Sequence, residues 1–134
     1  RQAEVEEKLQ MFFGFIEYGD PTSDSQLMGP LVNAKQHERV LAYIEKGKAE
    51  GARVLLGGGK PAHLDKGYYV EPTVFVDVTN DMTIAQEEIF GPVLCLIAYN
   101  DLEEAVEIAN DSEFGLAAYI NGKDAVAAKE ISRF

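Results

Sequence analysis

Apolar residues recur at two distinct periods along this chain, and the switch between them lays out the elements. Val5, Leu9, Phe12 and Ile16 return at helical spacing, which predicts an amphipathic helix from Ala3 to Glu17 with Glu4, Glu6, Glu7 and Lys8 mostly on its wet side. The helix ends before Gly19. Asp20-Pro21-Thr22-Ser23-Asp24-Ser25 reads as a polar loop, and Asn33 with Gln36 three residues later forms a capping-box signature for a second helix running to about Glu50. Gly51 stands where a left-handed residue would close that helix. Arg53 to Leu56 then reads as a short strand stopped by Gly57-Gly58-Gly59, and Tyr69 to Val78 as a longer β-rich stretch interrupted by Pro72. Thr83 with Gln86 signals a short helical turn. Val93 to Tyr99 is a near-continuous apolar run that suits a strand covered on both faces. Asp101 with Glu104 caps a helix to about Ala109, Leu116 to Ile120 predicts another strand, and Lys123 onward predicts a final helix to the C-terminus.

Strand, helix, strand at this spacing is what a parallel sheet needs, because each crossover must climb back over the sheet. The expected class is therefore α/β, a parallel-type sheet flanked by helices, with no linker, repeat or low-complexity segment dividing the chain. The length of 134 residues is one domain's worth of chain, and 46% hydrophobic residues fit a globular rather than a disordered polymer.

Charge and cysteine usage narrow the partners. A net charge of −11 leaves no basic patch dense enough for a phosphate backbone, so neither nucleic acid nor an anionic membrane surface is an expected partner. The longest apolar run is far too short to span a bilayer, and no signal peptide precedes it. One cysteine allows no intrachain disulfide, and together with the acidic balance this leads to the expectation of a cytoplasmic protein.

The densest chemistry lies in Gln86-Glu87-Glu88-Ile89-Phe90-Gly91-Pro92-Val93, where two adjacent carboxylates and an aromatic precede a Gly-Pro break and an apolar strand. Pro92 fixes its own φ and biases Gly91 toward extended geometry, while Gly91 lets the backbone pass close to a neighbour or ligand. Glu88 and Phe90 are left at the corner. Further landmarks are Tyr18-Gly19-Asp20-Pro21-Thr22, Met28-Gly29-Pro30-Leu31, Gly67-Tyr68-Tyr69-Val70-Glu71-Pro72-Thr73, and Ile108-Ala109-Asn110-Asp111 with Gly115-Leu116. In this order, and over essentially the whole chain, they resemble the NAD(P)-dependent aldehyde dehydrogenases, whose catalytic domain carries a Glu-x-Phe-Gly-Pro turn of this kind.

That resemblance implies a segment of an enzyme that oxidises an aldehyde to a carboxylic acid with NAD or NADP as acceptor. In the family a thiolate attacks the carbonyl, hydride passes to the nicotinamide, and an activated water releases the acid from a thioester. Arg1 is not an initiator methionine and Phe134 falls within the pattern of the last helix. The expectation is a partial catalytic domain over residues 1–134, with the nucleophilic cysteine, the general-base glutamate, the oxyanion asparagine and the dinucleotide-binding domain all before Arg1. No residue of this chain is then expected to be catalytic. Positioning falls instead to Glu88, which by resemblance would accept hydrogen bonds from the ribose hydroxyls next to the nicotinamide, and to Phe90, which would pack against the same end of the cofactor. The resemblance also implies a small-molecule aldehyde as partner and a homo-oligomer for the intact protein. The other class in view is a stand-alone truncated α/β binding or interaction module without catalysis.

Other patterns are weaker. Glu87 does not match the family position and is assigned a surface or local hydrogen-bonding role. Gly57-Gly58-Gly59-Lys60 fails as a phosphate loop because Pro61 and Val54 occupy the places of the hydroxyl residue and first glycine. Asp77, Thr79, Asp81 and Glu88 fall at calcium-loop positions, yet Met82 stands where glycine is needed. His37 and His63 lack a second ligand at metal spacing and are read as polar surface residues, so no metal site is assigned. Cys95, within Val93-Leu94-Cys95-Leu96-Ile97, has no cationic neighbour in sequence to lower its pKa and is assigned to the core. Its expected behaviour is slow alkylation by iodoacetamide at neutral pH in the folded protein, and rapid labelling would remove it from the core.

Overall fold

The computed structural model describes residues 1–133. Residues 1–98 form one compact unit and the described residues from Tyr99 onward form a second.

The first unit holds α1 (Gln2–Gly14), α2 (Ala34–Glu50), β1 (Arg53–Leu56), β2 (Thr73–Val78), a one-turn α3 (Thr83–Gln86) and β3 (Val93–Ile97). The sheet order is β1-β2-β3, with β1 antiparallel to β2 and β2 parallel to β3. The class is α/β as expected, but the sheet is mixed where a parallel-type sheet was expected. Residues 57–72, between β1 and β2, contain no helix to carry the chain back over the sheet, so β2 returns antiparallel. Residues 79–92 do carry a helical turn, and β3 enters parallel to β2 with Thr73 opposite Val93.

Helix α2 packs on this sheet because Val40, Ile44 and Gly47 fall on one stripe, and all are buried. With Phe75, Val78, Ile84 and Ile89 they form the core, in which Val40, Ile44 and Phe75 are 0% exposed. Burying each of these three side chains stabilises the fold by about 1.5–3 kcal/mol. The helix ends read as the sequence predicts. Asn33 accepts a hydrogen bond from the Gln36 amide at 2.9 Å, and Gly51 closes the other end at φ 101°.

Several expectations need correction. Strand β2 starts at Thr73 and not Tyr69: residues 69 and 70 are buried but bond irregularly, Tyr69 through its hydroxyl to the Gly19 carbonyl. His37 is not a surface residue. It is 8% exposed, with Nε2 3.0 Å from the Tyr69 carbonyl oxygen, because its position one turn before Leu41 and Val40 brings it under the irregular 69–70 segment. Helix α1 ends at Gly14, and its expected apolar face is split: Leu9 and Ile16 are half-buried while Phe12 is 65% exposed. A polar interaction decides the docking of α1. Arg53 donates to both Glu6 oxygens and at 2.7 Å to Asp77, which also accepts from Gln2, so Glu6 is drawn to the sheet side and Phe12 turned out. That network also occupies Asp77, the first of the calcium-loop positions.

Strand β3 is covered less than a two-sided strand, since Leu94 is 40% exposed on the outer edge of a three-stranded sheet. Cys95, opposite Phe75, is half-buried and packs against the core, and its thiol lies 3.5 Å from the Ile84 carbonyl oxygen. Burial pushes that thiol up to about 11.

The second unit contains α4 (Leu102–Asn110) and α5 (Ala125–Ile131). Asp101 caps α4 by accepting from the Glu104 amide, and Asp124 caps α5 by accepting from the amides of Val126 and Ala127. The strand expected over Leu116 to Ile120 is not formed. Leu116 is 97% and Tyr119 88% exposed, and the segment pairs with no strand among the described residues, so its backbone groups are left to water. The last helix, expected from Lys123 to the C-terminus, starts at Ala125 and stops at Ile131 with Ser132 as its C-cap, and only residue 134 of that expectation lies outside the described residues.

The tightest packing in the first unit is between Gly91 and α2, where an added Cβ would lie 2.6 Å from both methyl groups of Val40. Val40 is β-branched and fully buried, so it cannot yield cheaply. Gly91→Ala is expected to destabilise the protein by about 1–3 kcal/mol in urea denaturation. The loss should shrink in a Val40→Ala background, and an additive double mutant would disprove the contact.

Candidate functional site

The Glu88–Phe90 corner is built by three attachments. After α3, Glu87 turns to extended backbone at φ −118°, ψ 146°. Ile89 then enters the core at 8% exposure, which throws the flanking residues Glu88 and Phe90 outward. Beyond them, the Val93 amide donates to the Gly91 carbonyl and the Thr73 amide to the Pro92 carbonyl, each at 2.8 Å, which seats the turn on the head of β2. Thr73 is itself fully buried and satisfied, accepting from the Gly58 amide and donating to the Glu71 carbonyl.

The third attachment comes from α2. Gln36 Nε2 donates to the carbonyls of Ile89 at 3.2 Å and Phe90 at 2.9 Å, and Arg39 Nη2 donates to the carbonyl of Glu88 at 2.9 Å. Three successive carbonyls are thus held from one helix. Phe90 needs that support, since it is a non-glycine residue at φ 56°, a left-handed conformation that costs about 1–2 kcal/mol. Two neutral hydrogen bonds at about 0.5–1.5 kcal/mol each are of the size required to offset it. Tyr43, one turn beyond Arg39, donates from its hydroxyl to the Glu87 carboxylate at 2.5 Å and accepts from Arg39. Donation to that carboxylate raises the Tyr43 pKa, with desolvation acting the same way.

The two adjacent carboxylates therefore differ in employment. Glu87 is engaged by Tyr43, in keeping with its assignment to local hydrogen bonding, whereas the exposed Glu88 carboxylate has no hydrogen-bond or ion-pair partner among the described residues. Phe90 is 71% exposed, unusual for an aromatic side chain on a firmly anchored backbone. The chemical result is an open acceptor with room for two donors, beside a bare aromatic ring, on a turn fixed from both sides. Such a pair offers a carboxylate acceptor to hydroxyl donors next to an aromatic face. The remaining titratable candidates lie elsewhere. His63 is exposed with its ring 5.3 Å from that of Tyr18, beside a cavity of about 500 Å³ that includes Glu17 and Asp20, and Cys95 is in the sheet.

Gln36, Arg39 and Tyr43 are the residues that sequence reasoning missed. Gln36 carried a signal, read as half of a capping box: Asn33 does cap its amide, but the Gln36 side chain reaches across to the turn instead of back to the Asn33 amide. The spacing of 36, 39 and 43 places them on one helical stripe, while the partners lie 44 to 54 positions away in sequence.

Comparison with known proteins agrees with the landmarks. The model of the aldehyde dehydrogenase family matches residues 1–133. A putative aldehyde dehydrogenase of Staphylococcus aureus strain USA300 is 49% identical over 127 residues, covering 94% of this chain and 27% of the relative. Among solved structures, a mutant of aldehyde dehydrogenase C from Pseudomonas syringae in complex with NAD+ and octanal superposes with a TM-score of 0.95 at 45% identity. A Mycobacterium tuberculosis aldehyde dehydrogenase in complex with NAD+ gives 0.94 at 46% identity. Each likeness covers 98% of this chain and 27% of the solved one, so the chain spans about a quarter of the length of the relatives it matches. No helix among the described residues is long and apolar enough to cross a membrane. On the family match over residues 1–133 and the order of its motifs, this chain belongs to the aldehyde dehydrogenase family.

Proposed function

We propose that the intact protein oxidises an aldehyde to a carboxylic acid with NAD+ as acceptor, and that these 134 residues are the part of its catalytic domain that positions the nicotinamide ribose. The observation that carries this reading is the unpaired Glu88 carboxylate beside the exposed Phe90 ring, on a turn whose backbone is tied to α2 and β2. The choice of NAD+ over NADP rests on the two solved relatives, both bound to NAD+, and the aldehyde class on the octanal complex of one of them. A cytoplasmic location and a homo-oligomeric intact enzyme complete the proposal.

The role of each residue follows from its chemistry. Glu88 would hold the two ribose hydroxyls, one to each carboxylate oxygen, which fixes the sugar's rotation. Phe90 would cover one side of the same end and restrict its movement, so that the reacting carbon keeps one orientation toward the aldehyde. When bound, a nicotinamide supplies hydride acceptance, and the thiol and base chemistry belongs to the rest of the enzyme. Cys95 takes no part, because a thiol raised to about 11 carries almost no thiolate at neutral pH.

Glu88→Gln tests the assignment in the intact enzyme. It keeps the shape but replaces one acceptor oxygen with an NH2 donor and removes the charge, and kcat/KM for NAD+ should fall about 10- to 150-fold, in line with a charge-assisted hydrogen bond of roughly 1.5–3 kcal/mol. A primary isotope effect from 1-deuterated aldehyde should grow as hydride transfer becomes limiting, with the melting temperature unchanged. Wild-type kinetics in that variant would remove Glu88 from the site. The isolated 134-residue chain should show no aldehyde oxidation and no NAD+ binding at micromolar affinity by titration calorimetry, because most cofactor contacts lie outside it. Micromolar binding would contradict the division of labour proposed.

A further inference from the structure

We infer that Asn121 is a site of spontaneous covalent modification, where the side-chain amide converts to aspartate and isoaspartate through a cyclic imide closed by the backbone nitrogen of Gly122. This chemistry is separate from the ribose contacts. It belongs to the second unit and needs no reactant besides water.

Asparagine is among the thermolabile side chains, and its surroundings decide whether the lability is expressed. Ring closure requires a carboxamide that nothing else holds, a following backbone nitrogen not committed to a carbonyl, and a chain free to reach the closing geometry. Asn121 and Gly122 meet all three conditions. Both are exposed and lie outside helix and strand, between the unpaired 116–120 segment and α5. Among the described residues, neither the Asn121 carboxamide nor the Gly122 N–H has a hydrogen-bond partner. A Cβ at position 122 would crowd the approach of its nitrogen to the Asn121 side-chain carbonyl carbon, and glycine imposes neither that bulk nor a narrow range of φ.

The other asparagines lack this combination. Asn33 has its Oδ1 bonded to the Gln36 amide, Asn100 donates from Nδ2 to the Glu104 carboxylate, and Asn110 donates from Nδ2 to the Val106 carbonyl within α4. Asn80 is engaged as well. The residues that follow them, Ala34, Asp101, Asp111 and Asp81, all carry a Cβ. At Asn121 the Gly122 nitrogen bonds to Cγ as the Cγ–Nδ2 bond breaks, and the proton of that backbone amide leaves with Nδ2 as ammonia. Water then opens the imide, its hydroxyl going to a carbonyl carbon and its hydrogen to the ring nitrogen. Opening at Cγ leaves aspartate. Opening at the main-chain carbonyl leaves isoaspartate, with the backbone routed through the side chain and lengthened by a carbon. Either product places a new carboxylate just before Asp124, the cap of α5.

The test uses the intact enzyme, incubated in heavy-oxygen water at neutral and at mildly alkaline pH and mapped by peptide mass spectrometry, with an isoaspartyl methyltransferase to report isoaspartate. Label is expected at residue 121 several-fold faster than at residues 33, 80, 100 and 110, with isoaspartate among the products. The rate should rise with pH, because the backbone nitrogen attacks in its deprotonated form. Gly122→Ala should slow labelling at residue 121 to the rate of the other asparagines. That variant should melt with the wild type, since an added Cβ at position 122 meets no atom within 4 Å. Labelling at residue 121 no faster than at the other asparagines overturns the inference. Aspartate formed without isoaspartate also overturns it, because direct hydrolysis of the side chain gives that result. An undiminished rate in a folded Gly122→Ala overturns the part assigned to glycine and with it the imide route.

Discussion

The contact of Gly91 with Val40 is the constraint on which the first unit depends. Only a residue without a Cβ lets the turn lie directly on the methyl groups of α2. At that separation Ile89 reaches the core and the carbonyls of residues 88–90 come within hydrogen-bonding range of Gln36 and Arg39. Packing and polar satisfaction are therefore coupled: the apolar contact sets the distance, and the hydrogen bonds then select one backbone conformation at that distance. The left-handed Phe90 is the cost of this arrangement and also its product, since it leaves an aromatic ring in solvent beside a carboxylate.

The same economy of position explains how two neighbouring glutamates acquire different work. Adjacent carboxylates on a chain of net charge −11 gain nothing from each other's company. Tyr43 hydrogen-bonds one of them and ties it to α2, and the other stands open on the far side of the buried Ile89. Arg39, the cation between the helix and the turn, spends its donors on a carbonyl and a phenol, so it screens the corner without neutralising Glu88 by direct pairing. A carboxylate left in this state is one prepared for hydroxyl donors.

Much of the fold was legible in the sequence because the relevant interactions are short-ranged. Asn33, Asp101 and Asp124 bond to amides two or three residues ahead, and Gly51 closes a helix through the carbonyls just before it, so local residue types carry those signals. The Glu88–Phe90 corner was legible for the same reason, as a chain-reversing Gly-Pro break next to polar and aromatic residues. The face of α1 was not, since its docking is decided by Arg53 and Asp77, far along the chain, and an ion network outweighed the apolar stripe of Val5 and Phe12. His37 went astray similarly, because its carbonyl partner at Tyr69 is supplied by a loop whose path no periodicity reveals.

By itself the sequence determined the helices and their caps, the α/β class, the family, and the turn that bears Glu88 and Phe90, all of which follow from spacing and from conformational preferences of a few neighbouring residues. Tertiary structure alone decided that the sheet is mixed, that Ile89 goes in while Phe90 stays out, and that Gln36, Arg39 and Tyr43 face the turn. The physical reason is that a side-chain donor's preference for a carbonyl is the same everywhere along a chain. Which carbonyl it meets is settled only when the core has brought distant backbone together.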